Sequence, residues 1–316
     1  MGEFELIRRF FQPLAGRSAS SSLILGPGDD CAIQRVPDGR DLVFSVDTLV
    51  EDVHFPKAYP SDKLAWRALA AAASDLAAMG AEPVCFTLAL TLPCADESWL
   101  SAFSRGLSQA AEEFGLALAG GDTTRGPLVV TLQVHGVVPK GQGLHRNGAK
   151  NGDLVCVSGC LGDAGAALEY LAEPDPTQDM QAVLQRYHQP LPRLALGQQL
   201  SGVASAAIDI SDGLAADLEH ILEASGVGAS IRAEAIPLSP ALVRLTGDQA
   251  VDYALRSGDD YELCVTLPPA GWQALPSDIR QQLSVIGSIE PEPGLRIQGW
   301  QGTADQHGFD HFRSMS

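Results

Sequence analysis

Six short stretches of the 316-residue chain set aspartates beside glycines or after apolar runs: residues 26–32 (GPGDDCA), 45–48 (SVDT), 74–80 (SDLAAMG), 120–126 (GGDTTRG), 209–213 (DISDG) and 257–262 (SGDDYE). Aspartate is common at turns because its carboxylate caps nearby N–H groups, so a single Gly-Asp pair says little. Three features point beyond turn chemistry. Asp75 falls on an alanine-rich helix, with Ala71 and Met79 one turn away and Ala68 two turns back. A carboxylate on such a face must be paired or must ligate a metal. Asp47 closes the run LVFSVD, Asp122 follows LALAGG, and Asp209 with Asp212 bracket the turn after an apolar strand. Strand ends are where α/β proteins assemble sites. The glycines at 26, 28, 120 and 121 let the backbone come close to a ligand and aim N–H groups at phosphate oxygens. Hard oxygen donors in this number suit Mg²⁺, which is held by a few carboxylates together with phosphates and water.

The charge balance bears on what such a site can take. Lys plus Arg total 21 against 39 Asp plus Glu, a formal charge of -18. Nucleic acids and anionic membranes demand basic surface, so neither is an expected partner. An anionic substrate would have to arrive with cations. No apolar run approaches the roughly 20 residues of a membrane span. The N-terminal stretch lacks the apolar core of a signal peptide, and Leu6 stands where a myristoylation motif needs Ser or Thr. Six cysteines (31, 85, 94, 156, 160, 264) form no Cys-x-x-Cys pair. Together these predict a cytoplasmic protein with reduced, buried thiols.

Strands and helices must position the aspartates. The pattern predicts an amphipathic helix over 4–14 and a polar loop over 16–22. Strands follow over 41–50, 83–92 and 128–139, and helices over 61–81 and 96–115, the first capped by Ser61 or Asp62 and stopped by Gly80. The glycine-rich polar segment 140–153 is the expected boundary between a domain at 1–139 and a second at 140–316. Beyond it come strands over 154–159, 205–210, 261–267 and 283–289, with helices from about 162, over 194–202 and over 211–226. Hydrophobic residues at 45% support a sizeable core, and the mixture of elements argues two α/β or α+β domains.

Familiar nucleotide and hydrolase motifs are missing. No glycine is followed by lysine, so no P-loop exists; HRN at 145–147 is not the kinase His-Arg-Asp, and there is no Asp-Phe-Gly, Gly-x-Ser-x-Gly or His-Glu-x-x-His. The run from Asp209 places its glycine fifth, where a calcium loop needs it sixth.

Taken in order and at their spacing, GPGDDCA, SVDTLVEDVHF, SDLAAMGA, GGDTTRGP, IDISDGL and SGDDYEL resemble the thiamine-monophosphate kinase family, from GEFELI near the N-terminus to GFDHF near the C-terminus. The resemblance implies the two-domain aminoimidazole ribonucleotide synthetase-like fold, mixed sheets flanked by helices, with an N-terminal domain that binds ATP and Mg²⁺ and dimerises through its sheet. It implies ATP-dependent conversion of thiamine monophosphate to thiamine diphosphate, with ATP as co-substrate and several Mg²⁺ ions. Carried over by position, Asp30, Asp47, Asp75, Asp122, Asp209 and Asp212 are similar to the metal ligands, with Ser45 and the Val46 carbonyl as minor ones. Gly121, Asp122, Arg146 and Ser211 are similar to nucleotide contacts, and His54, Asp259 and Phe309 to contacts with the thiamine phosphate. The family more often has glutamate where this chain has Asp259, and a tryptophan or tyrosine where it has Phe309. An acceptor that is already an ionised phosphate needs no strong general base, and none is assigned. Two alternatives stand beside this reading: another ATP-using enzyme of the same superfamily, and a protein that binds Mg²⁺-nucleotide without consuming it.

Overall fold

The computed structural model describes residues 2–14 and 22–302; Phe309 and the polar stretch before Ser22 lie outside the described residues. The chain divides into two units, Met1–Leu76 with Ala81–Gly143, and Ala77–Gly80 with Leu144–Ser316.

In the first unit the N-terminal segment is helical but not one α-helix. Helix α1 (Glu3–Leu6) runs into a widened turn at Ile7–Phe11 and a tighter one at Gln12–Leu14. Pro13 has no N–H with which to extend an α-helical ladder. Phe10 and Phe11 are buried, and Phe11 meets Phe103 edge-on at 6.4 Å. Strands β1 (Leu23–Leu25) and β2 (Ile33–Gln34) pair antiparallel around the first glycine-aspartate turn. There follow β3 (Arg40–Val50), α2 (Ser61–Ala78), β4 (Glu82–Leu92), α3 (Glu97–Phe114), β5 (Ala117–Arg125) and β6 (Val129–Pro139). The four-stranded sheet has the order β3-β6-β4-β5. Only β4 and β5 are parallel, because α3 carries the chain back across the sheet between them.

Helix α2 starts differently from the expectation. The Ser61 hydroxyl turns away to donate to the Trp99 carbonyl at 3.0 Å, while Asp62 accepts the Lys63 N–H at 3.0 Å. Gly80 does end this helical stretch, in a left-handed conformation at φ 67°. Trp66 on α2 packs edge-on against Phe114 of α3 at 5.4 Å. One face of the sheet buries Val130, Leu132 and Val134 of β6, whereas Phe44 and Val46 on β3 are 63% and 60% exposed.

The second unit is built on a six-stranded mixed sheet. Its strands are β7 (Leu154–Ser158), β8 (Ala206–Ile210), β9 (Gly228–Arg232), β10 (Glu262–Leu267), β11 (Leu283–Glu290) and β12 (Gly294–Gln298), in the order β12-β9-β11-β7-β10-β8. Strands β8 and β10 are buried along their whole length, and both read in sequence as short apolar runs without alternation. Helices α4 (Asp163–Ala167), α5 (Gln178–His188), α6 (Leu194–Leu200), α7 (Leu214–Ser225), α8 (Pro240–Thr246) and α9 (Ala250–Arg256) surround it. Leu214, Leu218 and Ile221 of α7 join Val155, Ile208, Ile210 and Ile286 in the core.

Within that core sits one ionised glutamate. Glu262 on β10 is fully buried and receives Arg186 at 2.6 Å, both nitrogens of an Arg193 fork, and the Ser158 hydroxyl at 2.5 Å. Burial pushes its carboxyl up, but the guanidiniums and the hydroxyl outweigh that and hold it below its usual range. Removing one partner of a buried pair leaves an uncompensated charge and costs about 3–5 kcal/mol. Arg193→Ala, which leaves Arg186 still paired with Glu262, is therefore expected to lose up to about that much unfolding free energy, read as a lower denaturant midpoint, and Arg193→Lys to recover only part of it, because an ammonium cannot reproduce the fork. Unfolding of Arg193→Ala at the wild-type midpoint would contradict this account.

Candidate active site

Three of the candidate ligands converge in the first unit. Ser45 and Asp47 lie on β3 with their side chains on one face, since alternate strand residues share a side. Asp75 projects from α2, and the Ser45 hydroxyl donates to its Oδ2. Asp47 is three residues inside its strand, paired with Leu132 of β6, and not at the strand end as its sequence context suggests. Burial, then the charge of Asp75, push the Asp47 carboxyl up to about 6. The Val46 side chain faces the opposite, exposed side of the sheet.

Asp122 also lies inside a strand. Strand β5 continues through the glycines to Arg125, with Asp122 opposite Ala89 of β4. A side chain at Gly121 is impossible there, because a Cβ would stand 1.9 Å from the Leu88 carbonyl oxygen. The exposed Asp122 accepts the Thr123 N–H at 2.9 Å. Asp30 is exposed in the turn between β1 and β2, where its N–H donates to Asp29 at 2.8 Å. His54 follows β3, and its Nδ1 accepts the Val50 N–H at 3.0 Å, which puts the proton of the neutral ring on Nε2.

In the second unit two distant motifs are bonded through their backbones. The Asp259 N–H donates to the Ser211 carbonyl at 2.9 Å, and the Tyr261 N–H to that of Ile210 at 2.8 Å. Gly258 permits this approach, since a Cβ there would lie 2.0 Å from the Ser211 oxygen. Asp209 is buried at the end of β8, and Ser211 and Asp212 form the turn into α7. Asp217, on the first turns of α7, reaches back to accept the N–H groups of Ser211 and Asp212 at 2.9 and 3.0 Å. Burial raises its carboxyl to about 8, helped by the charges of Asp209 and Asp212 and opposed by the two N–H groups. Arg146 is exposed on a loop whose shape is set by Ser225: that hydroxyl donates to the Arg146 carbonyl and accepts the N–H groups of Gly148 and Ala149.

Asp217 and Tyr261 carry no role in the sequence reading. A signal for the first exists: a carboxylate four residues after the glycine of DISDG falls one helical turn inside α7, within reach of the preceding turn. Within the Ser257–Glu262 loop, the fully buried Asp260 accepts the Gly162 N–H, and burial raises its carboxyl well above the usual range.

Among the described residues no three His, Cys, Asp or Glu side chains gather closely enough to hold a metal by themselves. The donor set nevertheless fits Mg²⁺: carboxylate and hydroxyl oxygens, crowded enough to raise one carboxyl, and few enough that phosphates and water would complete the shell.

The model of the AIR synthase related protein N-terminal domain matches residues 28–138, and that of the C-terminal domain residues 150–299. The thiamine-monophosphate kinase of Salmonella typhimurium strain LT2 is 46% identical over 322 residues, covering 98% of either chain. The chain belongs to the thiamine-monophosphate kinase family. The crystal structure of that kinase from Stenotrophomonas maltophilia K279a superposes on 96% of this chain and 98% of its own, with a TM-score of 0.86 at 41% identity. The structure of AaThiL complexed with AMPPCP and TMP covers 98% of this chain and 97% of its own, at 30% identity and a TM-score of 0.80. The two-domain architecture with mixed sheets is thus the fold of the family. No helix among the described residues is long and apolar enough to cross a membrane. All six cysteines are unbridged; Cys85, Cys156 and Cys264 are buried as expected and Cys160 partly so, but Cys31 and Cys94, on turns outside the strands, are exposed.

The crowding at Asp47 has a measurable consequence for this family member. The folded state binds the Asp47 proton more tightly than the unfolded chain does, so this group stabilises the fold at low pH. That contribution is lost as pH rises from the ordinary 3.8 to about 6. In chelator at pH 7, Asp47→Asn is expected to be more stable than wild type by about 2–3 kcal/mol, with the advantage gone near pH 4. Thermal melts across that range check it, and a variant less stable at pH 7 would refute the crowding.

Proposed function

We propose that the protein transfers the γ-phosphoryl group of ATP to thiamine monophosphate, yielding thiamine diphosphate and ADP. The observation that carries this reading is full-length likeness to thiamine-monophosphate kinases, including one whose structure is complexed with AMPPCP and TMP. Asp30, Ser45, the Val46 carbonyl, Asp47, Asp75, Asp122, Asp209 and Asp212 would hold Mg²⁺. Held there, it would supply positive charge between two polyanions that otherwise repel each other strongly. Gly121, whose backbone is bare of a side chain, together with Asp122, Arg146 and Ser211, would seat the nucleotide. Arg146 offers the planar fork that suits a phosphate. His54, Asp259 and Phe309 would meet the thiamine phosphate.

The acceptor oxygen is already ionised, so the chain need not supply a base. Its work is to place donor and acceptor in line and to keep the charge balanced. His54 fits this division: its Nδ1 is engaged with the backbone, which orients the ring. The decisive test is a turnover assay with purified protein, ATP, Mg²⁺ and thiamine monophosphate, the products separated by chromatography. Equal amounts of ADP and thiamine diphosphate are expected, with none in chelator. ATP bound but no thiamine diphosphate formed would reject the kinase reading in favour of another superfamily reaction or of binding alone.

We also propose a homodimer joined through the exposed face of the first sheet. Leu42, Phe44 and Val46 stand on that face of β3, 40%, 63% and 60% exposed, and they make an apolar strip that water covers poorly. Light scattering is expected to give twice the chain mass for wild type and one chain mass for Phe44→Glu. A monomeric wild type at micromolar concentration would refute the pairing.

A further inference from the structure

Two residues of the Ser257–Glu262 loop take a conformation that side chains resist. Asp259 has φ 68° and Tyr261 φ 51°, both left-handed. Aspartate visits this region with some ease, but for a bulky aromatic residue it is an outlier that persists only where its surroundings impose it. Here they do: the N–H groups of both residues are bonded to carbonyls at the end of β8, and the next residue is locked by the Glu262 ion pairs. In the ordinary extended conformation the Tyr261 ring would leave on the other side of the chain. Held as it is, the ring is buried to 8% exposure and its hydroxyl donates to Asp259 Oδ1 at 2.9 Å.

We propose that Tyr261 is a positioning residue for thiamine-monophosphate recognition, its hydroxyl fixing the Asp259 carboxylate in the orientation that meets the substrate. This rests on the reading of Asp259 as a substrate contact. The backbone bonds fix where Asp259 sits, and the Tyr261 hydroxyl engages its carboxylate directly. A hydrogen bond from this buried phenol favours one orientation of the carboxylate before the substrate arrives, so the ordering is not charged to binding. The strained tyrosine thus has a stated use, and a phenylalanine would fill the same volume without it.

The test is steady-state kinetics on Tyr261→Phe, Asp259→Ala and the double variant, with wild-type turnover as the control for the reaction itself. Loss of a hydrogen bond to a charged group should raise KM for thiamine monophosphate about tenfold in Tyr261→Phe, with KM for ATP and the melting temperature close to wild type. Asp259→Ala should raise the same KM, and the double variant should be no worse than Asp259→Ala, because the hydroxyl acts only through that carboxylate. If Asp259→Ala raises that KM and Tyr261→Phe leaves it at wild type, the positioning role is overturned while the substrate contact stands. If Asp259→Ala leaves it unchanged, the contact itself falls and the proposal with it. A Tyr261→Phe variant that melts early and loses affinity for both substrates alike would make the tyrosine a packing residue only, and would equally overturn the proposal.

Discussion

Carboxylates brought together out of water repel one another, by about 4 kcal/mol at 4 Å for an effective dielectric constant near 20, and this repulsion shapes both units. In the first, Asp47 and Asp75 face each other from β3 and α2, and the Ser45 hydroxyl serves the second of them. In the second, Asp217 lies close enough to Asp209 and Asp212 for their charges to raise it, and two backbone N–H groups work against that rise. A chain with a formal charge of -18 has many places to leave aspartates apart in water. Concentrating them on strands, with dipoles rather than bulk water as neighbours, makes sense where a cation is meant to complete the arrangement.

The buried Glu262 shows what a carboxylate looks like when the protein itself completes it. Two arginines and a serine saturate its oxygens, and it stays ionised in the core. Asp260, two residues before it, takes the other course: its carboxylate accepts the Gly162 N–H, and burial drives it towards the neutral form. Both hold the loop that carries Asp259 and Tyr261. Position along the sequence does not separate these two acids from Asp259, since all three fall within one seven-residue motif; their partners do.

Much of this was legible in the sequence. The alanine-rich α2 and the inward setting of Asp75 follow from helical periodicity, and the resemblance of six motifs in order carries over to a full-length family match. What was not legible depends on partners far away in the chain. Asp47 and Asp122 read as strand ends because glycine and aspartate interrupt the apolar runs, yet pairing with β6 and β4 carries both strands further. Ser61 looks like a cap, but the Trp99 carbonyl competes for its hydroxyl. Helices α8 and α9, over Pro240–Thr246 and Ala250–Arg256, are too short for a clear period and gave no sign beforehand. The ion pairs of Glu262 join residues 69 and 76 positions apart, which no local pattern can announce.

The joining of the Asp209–Gly213 turn to the Ser257–Glu262 loop carries a consequence for how the site can vary. The bonds between them run from main-chain N–H to main-chain carbonyl, and Gly258 supplies only the absence of a side chain. Such bonds do not depend on what the flanking side chains are. An aspartate can therefore stand at 259 where the family more often has glutamate, and the frame that carries Ser211 and Asp212 is undisturbed. A shorter side chain shifts its carboxylate by about one methylene, a change the backbone cannot correct, so the adjustment falls to a neighbouring side chain. Tyr261, turned back over Asp259 by its left-handed backbone, is placed to make it. Frame and chemistry are thus separable here: the main chain fixes where the motifs lie, and the side chains are left to decide what they hold.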